Sequence, residues 1–202
     1  MRATTHARNA MLPAPGTGTT CRPASCRNSD AESPMSENAR RFDDWIRSDF
    51  VALNTELEEL YFAQKNRENV AGIGDALKAK LVEAGKAHIV RLLQEGNTDE
   101  GFEANFNLMG NVGLYMAACR RHGITEPSRE KKSPLVEASA LAMQIGASIG
   151  MVPRFASSHL ETHNYAVNGV YKTFTSLKDE QLFIAYNTRS AMAYIRAAEA
   201  LL

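Results

Sequence analysis

The sequence predicts an all-α protein. Three observations carry this: apolar side chains recur every three or four residues from Arg40 onward, glycines and prolines punctuate them at helix-length intervals, and no alternating run of Val, Ile or Thr marks a strand. With 44% hydrophobic residues in 202, the chain is long enough for one good core. The formal net charge is zero, which removes the electrostatic case for a nucleic-acid or anionic-membrane partner. No apolar run approaches the roughly 20 residues of a spanning helix.

Residues 1–34 are different material. They hold four of the seven prolines and two of the three cysteines, with almost no large aliphatic side chains, so they cannot bury enough to offset their ordering entropy. Three readings stay open: a disordered tail, an organellar transit peptide (Arg- and Ser/Thr-rich, poor in acids at first), or an over-called leader with Met35 as the true start. Cys21 and Cys26 have no companion ligands for a metal. Cys119 lies alone in an apolar helical stretch, which points to a reducing, cytoplasmic setting.

The helical domain is expected over 35–202. Phe42, Trp45, Ile46, Phe50, Leu53, Leu57, Leu60 and Tyr61 form one long apolar stripe opposite Asp43, Asp44, Glu56, Glu58 and Glu59. Gly72 and Gly74 break it. A second stripe (Leu77, Leu81, Ala84, His88, Ile89, Leu92, Leu93) is closed by Gly96 and Asn97. The next helix, from about Phe102 to His122, is rich in small residues that let another helix approach, and Gly123 ends it. Ser133 is the expected cap of the following helix, with Pro134 at its first position, where a missing amide matters least. That helix carries Leu135, Ala138, Leu141, Ile145 and Ile149, stops at Gly150, and Pro153 prevents its resumption. A short helix over 154–164 and an irregular link follow.

The last helix is expected to start at Ser176, with Asp179 completing a capping box. Leu182, Phe183, Tyr186, Ser190, Ala193, Tyr194, Ala197 and Leu201 then recur at helical spacing. No Gly, Asn or Pro follows to receive the final carbonyls, so the expectation is the front part of a longer protein. Short connections favour antiparallel neighbours.

Few residues carry chemistry on their own. The glycines of AGIGDAL follow no strand and lack the third glycine of a dinucleotide fingerprint, and so read as a helix–helix break. His88, on an apolar face, reads as a core histidine. His122 lies beside Arg120 and Arg121 near a helix C-terminus, where the dipole favours a cation. His159 and His163 share one helix face at i and i+4, a spacing that chelates a metal if a third ligand arrives from elsewhere. Glu161 falls on the far side, so this is not an H-E-x-x-H site. The other reading has the pair bonding a neighbouring helix or lining a pocket.

Three stretches go beyond pattern: GFEANFNLMGNVGLYMAACRRHGITEPSRE, SPLVEASALAMQIGASIGMVPRFASSHLETHN and YKTFTSLKDEQLFIAYNTRSAMAYIRAAEALL. In order and content they resemble the N-terminal half of the monodechloroaminopyrrolnitrin synthase-like family, part of the indoleamine/tryptophan 2,3-dioxygenase superfamily, over about Met35 to Leu202. The resemblance implies the N-terminal part of a helical fold that binds one haem b, with an indole or tryptophan-like substrate on its distal side. The family's namesake rearranges a chlorinated tryptophan in pyrrolnitrin biosynthesis; the wider superfamily inserts dioxygen into the indole ring.

Carried over by position, the resemblance sets Ser157 and Leu160 in the substrate pocket with His159 adjacent to the cofactor. It sets Leu182, Phe183 and Tyr186 above the haem, Tyr186 standing where the dioxygenases have a smaller polar group. Periodicity alone makes those three core residues. The resemblance supplies no axial histidine in this chain: the iron ligand belongs to a C-terminal half. Two alternatives remain. One is a non-catalytic interaction domain whose last helix docks a partner chain, and the other is a His159/His163 metal-binding helical protein.

Overall fold

The computed structural model describes residues 35–96 and 101–202. The expectations for the leader, Cys21 and Cys26 therefore lie outside the described residues. Within them run seven helices: α1 Glu37–Arg47, α2 Asp49–Phe62, α3 Asp75–Glu95, α4 Phe102–Arg121, α5 Val136–Ile149, α6 Ser158–Glu161 and α7 Lys178–Leu201. The only extended pairing among them is one bridge between Val167 and Val170. The all-α class is what the apolar spacing dictates. No helix among the described residues is long and apolar enough to cross a membrane.

The single stripe expected over Phe42–Tyr61 is two helices. Ser48 leaves helical geometry (φ −123°, ψ −94°) and its hydroxyl donates to the Asp44 carbonyl at 2.7 Å, competing with the helix's own ladder. The break folds the stripe, so that Phe42 and Ile46 of α1 and Phe50 and Leu57 of α2 all become fully buried. Each such side chain contributes roughly 1.5–3 kcal/mol. α1 starts on Ser36, whose hydroxyl accepts from the Ala39 amide at 3.2 Å. Gly72 and Gly74, both at positive φ, join α2 to α3, as the break reading expects.

α4 is the central helix. Met109, Val112, Leu114, Tyr115, Ala118 and Cys119 are all buried, and α1, α3, α5 and α6 pack around it. Two of its small residues take specific neighbours. A Cβ on Gly113 would lie 2.7 Å from Cβ of Phe155, and one on Gly110 would lie 2.9 Å from Cδ2 of His159. The segment after Pro153 can therefore lie directly on the α4 backbone.

Three boundaries differ from expectation. α5 begins at Val136, not Pro134; Ser133 accepts from the Leu135 amide two residues on, a hydroxyl turn instead of a helix cap. The helix expected over 154–164 shrinks to α6, because Nδ1 of His159 folds back to accept from the Ala156 amide at 3.0 Å. The Ser176/Asp179 box does not form. Ser176 is drawn to α2, its amide donating to the Thr55 hydroxyl at 2.9 Å. Glu180 instead reaches back from the third helical position and accepts from the amides of Phe174 (2.6 Å) and Thr175 (2.7 Å).

α7 carries no buried residue. Leu182 is 45%, Phe183 66% and Tyr186 62% exposed. The core-packing reading of these three is overturned: their helix rests against α6 through another face.

Candidate functional site

The link between α6 and α7 is ordered by three local devices. Asn164 acts as a surrogate strand, its Nδ2 donating to the Lys172 carbonyl (2.8 Å) and its Oδ1 accepting from the Lys172 amide (2.9 Å). Between them, Asn168 and Gly169 both adopt positive φ (50° and 78°), and Val167 and Val170 exchange both backbone hydrogen bonds at 3.0 and 2.9 Å. This is the two-residue hairpin that an Asn-Gly pair favours. The third device is Arg47, whose Nη1 donates to the Val170 carbonyl at 2.7 Å.

The result is that Lys172 turns inward onto α1 and α4. Its ammonium meets Asp43 Oδ1 (2.8 Å), Asn111 Oδ1 (2.6 Å) and Asn107 Oδ1 (2.5 Å). Asp43 also accepts from Arg47 Nε (2.7 Å), Asn107 Nδ2 (3.0 Å) and Asn111 Nδ2 (2.9 Å). The side chains of Asp43, Arg47 and Lys172 are 3%, 7% and 4% exposed. Burial pulls the Asp43 carboxyl upward, yet Lys172 and Arg47 outweigh it and hold the group well below the ordinary carboxylate range. For Lys172 burial wins: the ammonium is pushed down to about 8 against the opposing pull of Asp43. The two ends of this ion pair differ because the cluster sets two cations against one anion.

Above this cluster opens a cleft of about 710 Å³, within the range of small-molecule sites. Arg47 and Lys172 lie at its base, and Val51, Leu160, Ile184 and Ala185 give it apolar walls. Thr173 and Thr188 add hydroxyls, and Glu161 and Arg189 add charge.

Of the residues singled out from sequence, Leu160 lines this cleft. Ser157 is exposed beside α6. The α7 face on the cleft is Gln181, Ile184, Ala185 and Thr188, so Leu182, Phe183 and Tyr186 occupy the outer face of that helix. His159 is 5% exposed and sits below the cleft, stacked at 4.1 Å on Phe106 and at 5.4 Å on Phe155. Burial lowers its pKa, opposed by the hydrogen bond between its Nδ1 and the Ala156 carbonyl at 3.0 Å. Its Nε2 has no protein partner among the described residues and borders a void of about 10 Å³, roughly the room for one water. His163 tilts onto the same Phe106 ring at 4.8 Å, its Nδ1 paired with the Thr162 hydroxyl at 2.8 Å. No group of three His, Cys, Asp or Glu among the described residues is placed to hold a metal.

The other two histidines among the described residues, His88 and His122, are structural. His88 stacks on Phe42 at 5.6 Å. His122 is 1% exposed and bridges Tyr61 Oη (3.1 Å) and Asn54 Oδ1 (2.6 Å). Burial pushes its pKa down to about 4, so it is neutral, and the expectation of a cation at this helix end is corrected. Burial also pushes the Cys119 thiol up to about 11, which makes it unreactive.

The Asp43–Arg47–Lys172 cluster escaped the sequence reading. Asp43 and Arg47 stand at i and i+4 on α1, which resembles a solvated ion pair. The one signal for the rest is Asn-Gly at 168–169, which marks the hairpin that turns Lys172 inward.

The sequence profile of the family described as monodechloroaminopyrrolnitrin synthase PrnB matches residues 36–202. No curated protein matches the chain.

Proposed function

Because the chain belongs to the monodechloroaminopyrrolnitrin synthase PrnB family, we propose that its cleft receives a tryptophan-like or chlorinated indole substrate of a haem-dependent oxidation or ring rearrangement. The observation that carries this reading is where the cleft lies. It opens between α6 and α7, the two elements in which the family resemblance sets a substrate pocket, and it has apolar walls over a polar base. In this reading Leu160, Ile184 and Ala185 flank the ring, and the hydroxyls of Thr173 and Thr188 orient it.

Haem would supply the redox chemistry of such a reaction. The described residues do not fit an iron ligand here. No imidazole lines the cleft, both ring nitrogens of His122 are engaged, and His159 is closed in by Phe106 and Phe155. The iron's ligand in this reading comes from outside the described residues. The chain's own contribution is to bind the indole, exclude water from its ring and fix its orientation. Ser157, Leu182, Phe183 and Tyr186 lie off the wall of this cleft.

Calorimetric titration of the full chain with L-tryptophan and 7-chlorotryptophan tests the reading. Ile184→Glu places a charge against the ring and is expected to weaken binding at least ~10-fold, on the scale of losing roughly 1.4 kcal/mol. Phe183→Ala, on the outer face, is expected to leave it unchanged. Absence of binding by either indole, or equal effects of the two substitutions, would refute it.

A further inference from the structure

A thioether touches the buried charge cluster. Met35 stands just ahead of the Ser36 cap of α1, half-buried against the core, and Asn107 Nδ2 donates to its Sδ at 3.3 Å. The same nitrogen donates to Asp43 Oδ1 at 3.0 Å, and Asn107 Oδ1 accepts from the Lys172 ammonium. One amide thus joins the sulfur to both members of the Asp43–Lys172 pair. Met35 is the only methionine among the described residues that shares a hydrogen bond with this cluster. Met143, Met151 and Met192 are exposed, and Met109 and Met116 belong to the core or pack against it.

We propose that Met35 is a peroxide-sensitive modification site, whose oxidation to the sulfoxide loosens the hold of Asn107 on Asp43 and Lys172. The step needs hydrogen peroxide alone. Sulfur gives an electron pair to one peroxide oxygen, the S–O bond forms as the O–O bond breaks, and the second oxygen takes both protons and leaves as water. Sulfur is oxidised and peroxide reduced. A thioether is a weak acceptor and a sulfoxide is polar, so the contact changes character. Asn107 is the only donor that the sulfur meets among the described residues, and the new oxygen turns to it. An S–O bond followed by an N–H···O bond of about 2.9 Å spans more than the present 3.3 Å separation. Met35 must withdraw from the core, or Asn107 must shift and release its partners. The proposal is independent of what the cleft binds.

The test treats the full chain with graded hydrogen peroxide, locates added oxygen by peptide mass spectrometry and follows urea unfolding by Trp45 emission. Met143 and Met192 are expected to oxidise first and Met35 before Met109. Once Met35 carries its oxygen, the unfolding midpoint should fall by at least ~0.5 M, the scale of one lost hydrogen bond. Met35→Leu keeps the packing without the reactive sulfur, and its midpoint should stay put under the same treatment. In Asn107→Ala, which lacks the receiving amide, peroxide should shift the midpoint less than half as far. Met35 unmodified at a dose that converts Met143 and Met192 completely overturns the site. So does an unchanged midpoint after its oxidation, or an equal fall in Met35→Leu. An equal shift in Asn107→Ala overturns the link to the charge cluster.

Discussion

Replacing Asp43 by Asn keeps the shape of the buried cluster and removes its only negative charge. The carboxylate accepts four hydrogen bonds, from Lys172, Arg47, Asn107 and Asn111, at 2.7 to 3.0 Å. An amide would turn its Nδ2 toward one of those donors, and two cations would stay buried with no counter-charge. At an effective dielectric of about 20, a pair 3 Å apart attracts by roughly 5–6 kcal/mol. Desolvation offsets part of that, and removing one member of a buried pair costs about 3–5 kcal/mol. With a urea dependence of about 2 kcal/mol/M, the unfolding midpoint should fall by about 1.5–2.5 M.

Trp45, the chain's single tryptophan, is 6% exposed and packs against Phe42 and Phe50, so its emission reports the transition. Adding Lys172→Met to the Asp43→Asn protein removes one stranded cation and should restore part of the loss. The double variant should thus be less damaged than the sum of the two single ones, by at least ~1 kcal/mol. A midpoint within ~0.3 M of the parent for Asp43→Asn, or strict additivity, would refute the account of this cluster as coupled.

Other expectations follow from the same geometry. His122 titrates near 6.5 when unfolded and is pushed down to about 4 by burial, Arg121 and Lys78. The unfolded chain therefore binds more protons between those values, so stability is full above pH 6.5 and falls as pH drops toward 4. The loss is about 2–3 kcal/mol, and the slope in that window should shrink in His122→Gln when followed by urea unfolding. Gly113→Leu drives side-chain atoms into Phe155 and should cost at least ~1–3 kcal/mol, lowering the melting temperature, whereas Gly150→Ala faces open space and should show only the smaller penalty of its positive φ. Asn164→Ala removes both clamps on Lys172; about 1–2 kcal/mol of stability should go, and indole affinity should fall with it in calorimetry.

The helices were legible because burial writes a period into the sequence. Phe42, Ile46, Leu81, Ile89, Leu141 and Ile145 are all completely buried. Termini were less legible, since side chains there choose among several neighbours: Ser176 answers to Thr55, and Glu180, not Asp179, reaches back to the preceding amides. On α7 the large apolar residues Leu182, Phe183 and Tyr186 stand exposed, while Ile184, Ala185 and Thr188 line the cleft. Spacing records which residues share a face and says nothing of what that face meets. The buried charge cluster was the least visible, because its members come from three separate segments and only the fold brings them together.

The grip of Asn107 and Asn111 on Lys172 has a consequence for assembly. The base of the cleft is the same ammonium that the central helix holds, so the pocket cannot exist until α4 has docked against α1 and the hairpin has closed over both. A partially folded chain has no half-built pocket to offer a ligand. Ligand present during refolding should accordingly leave the early phases untouched and slow only the reverse, unfolding step.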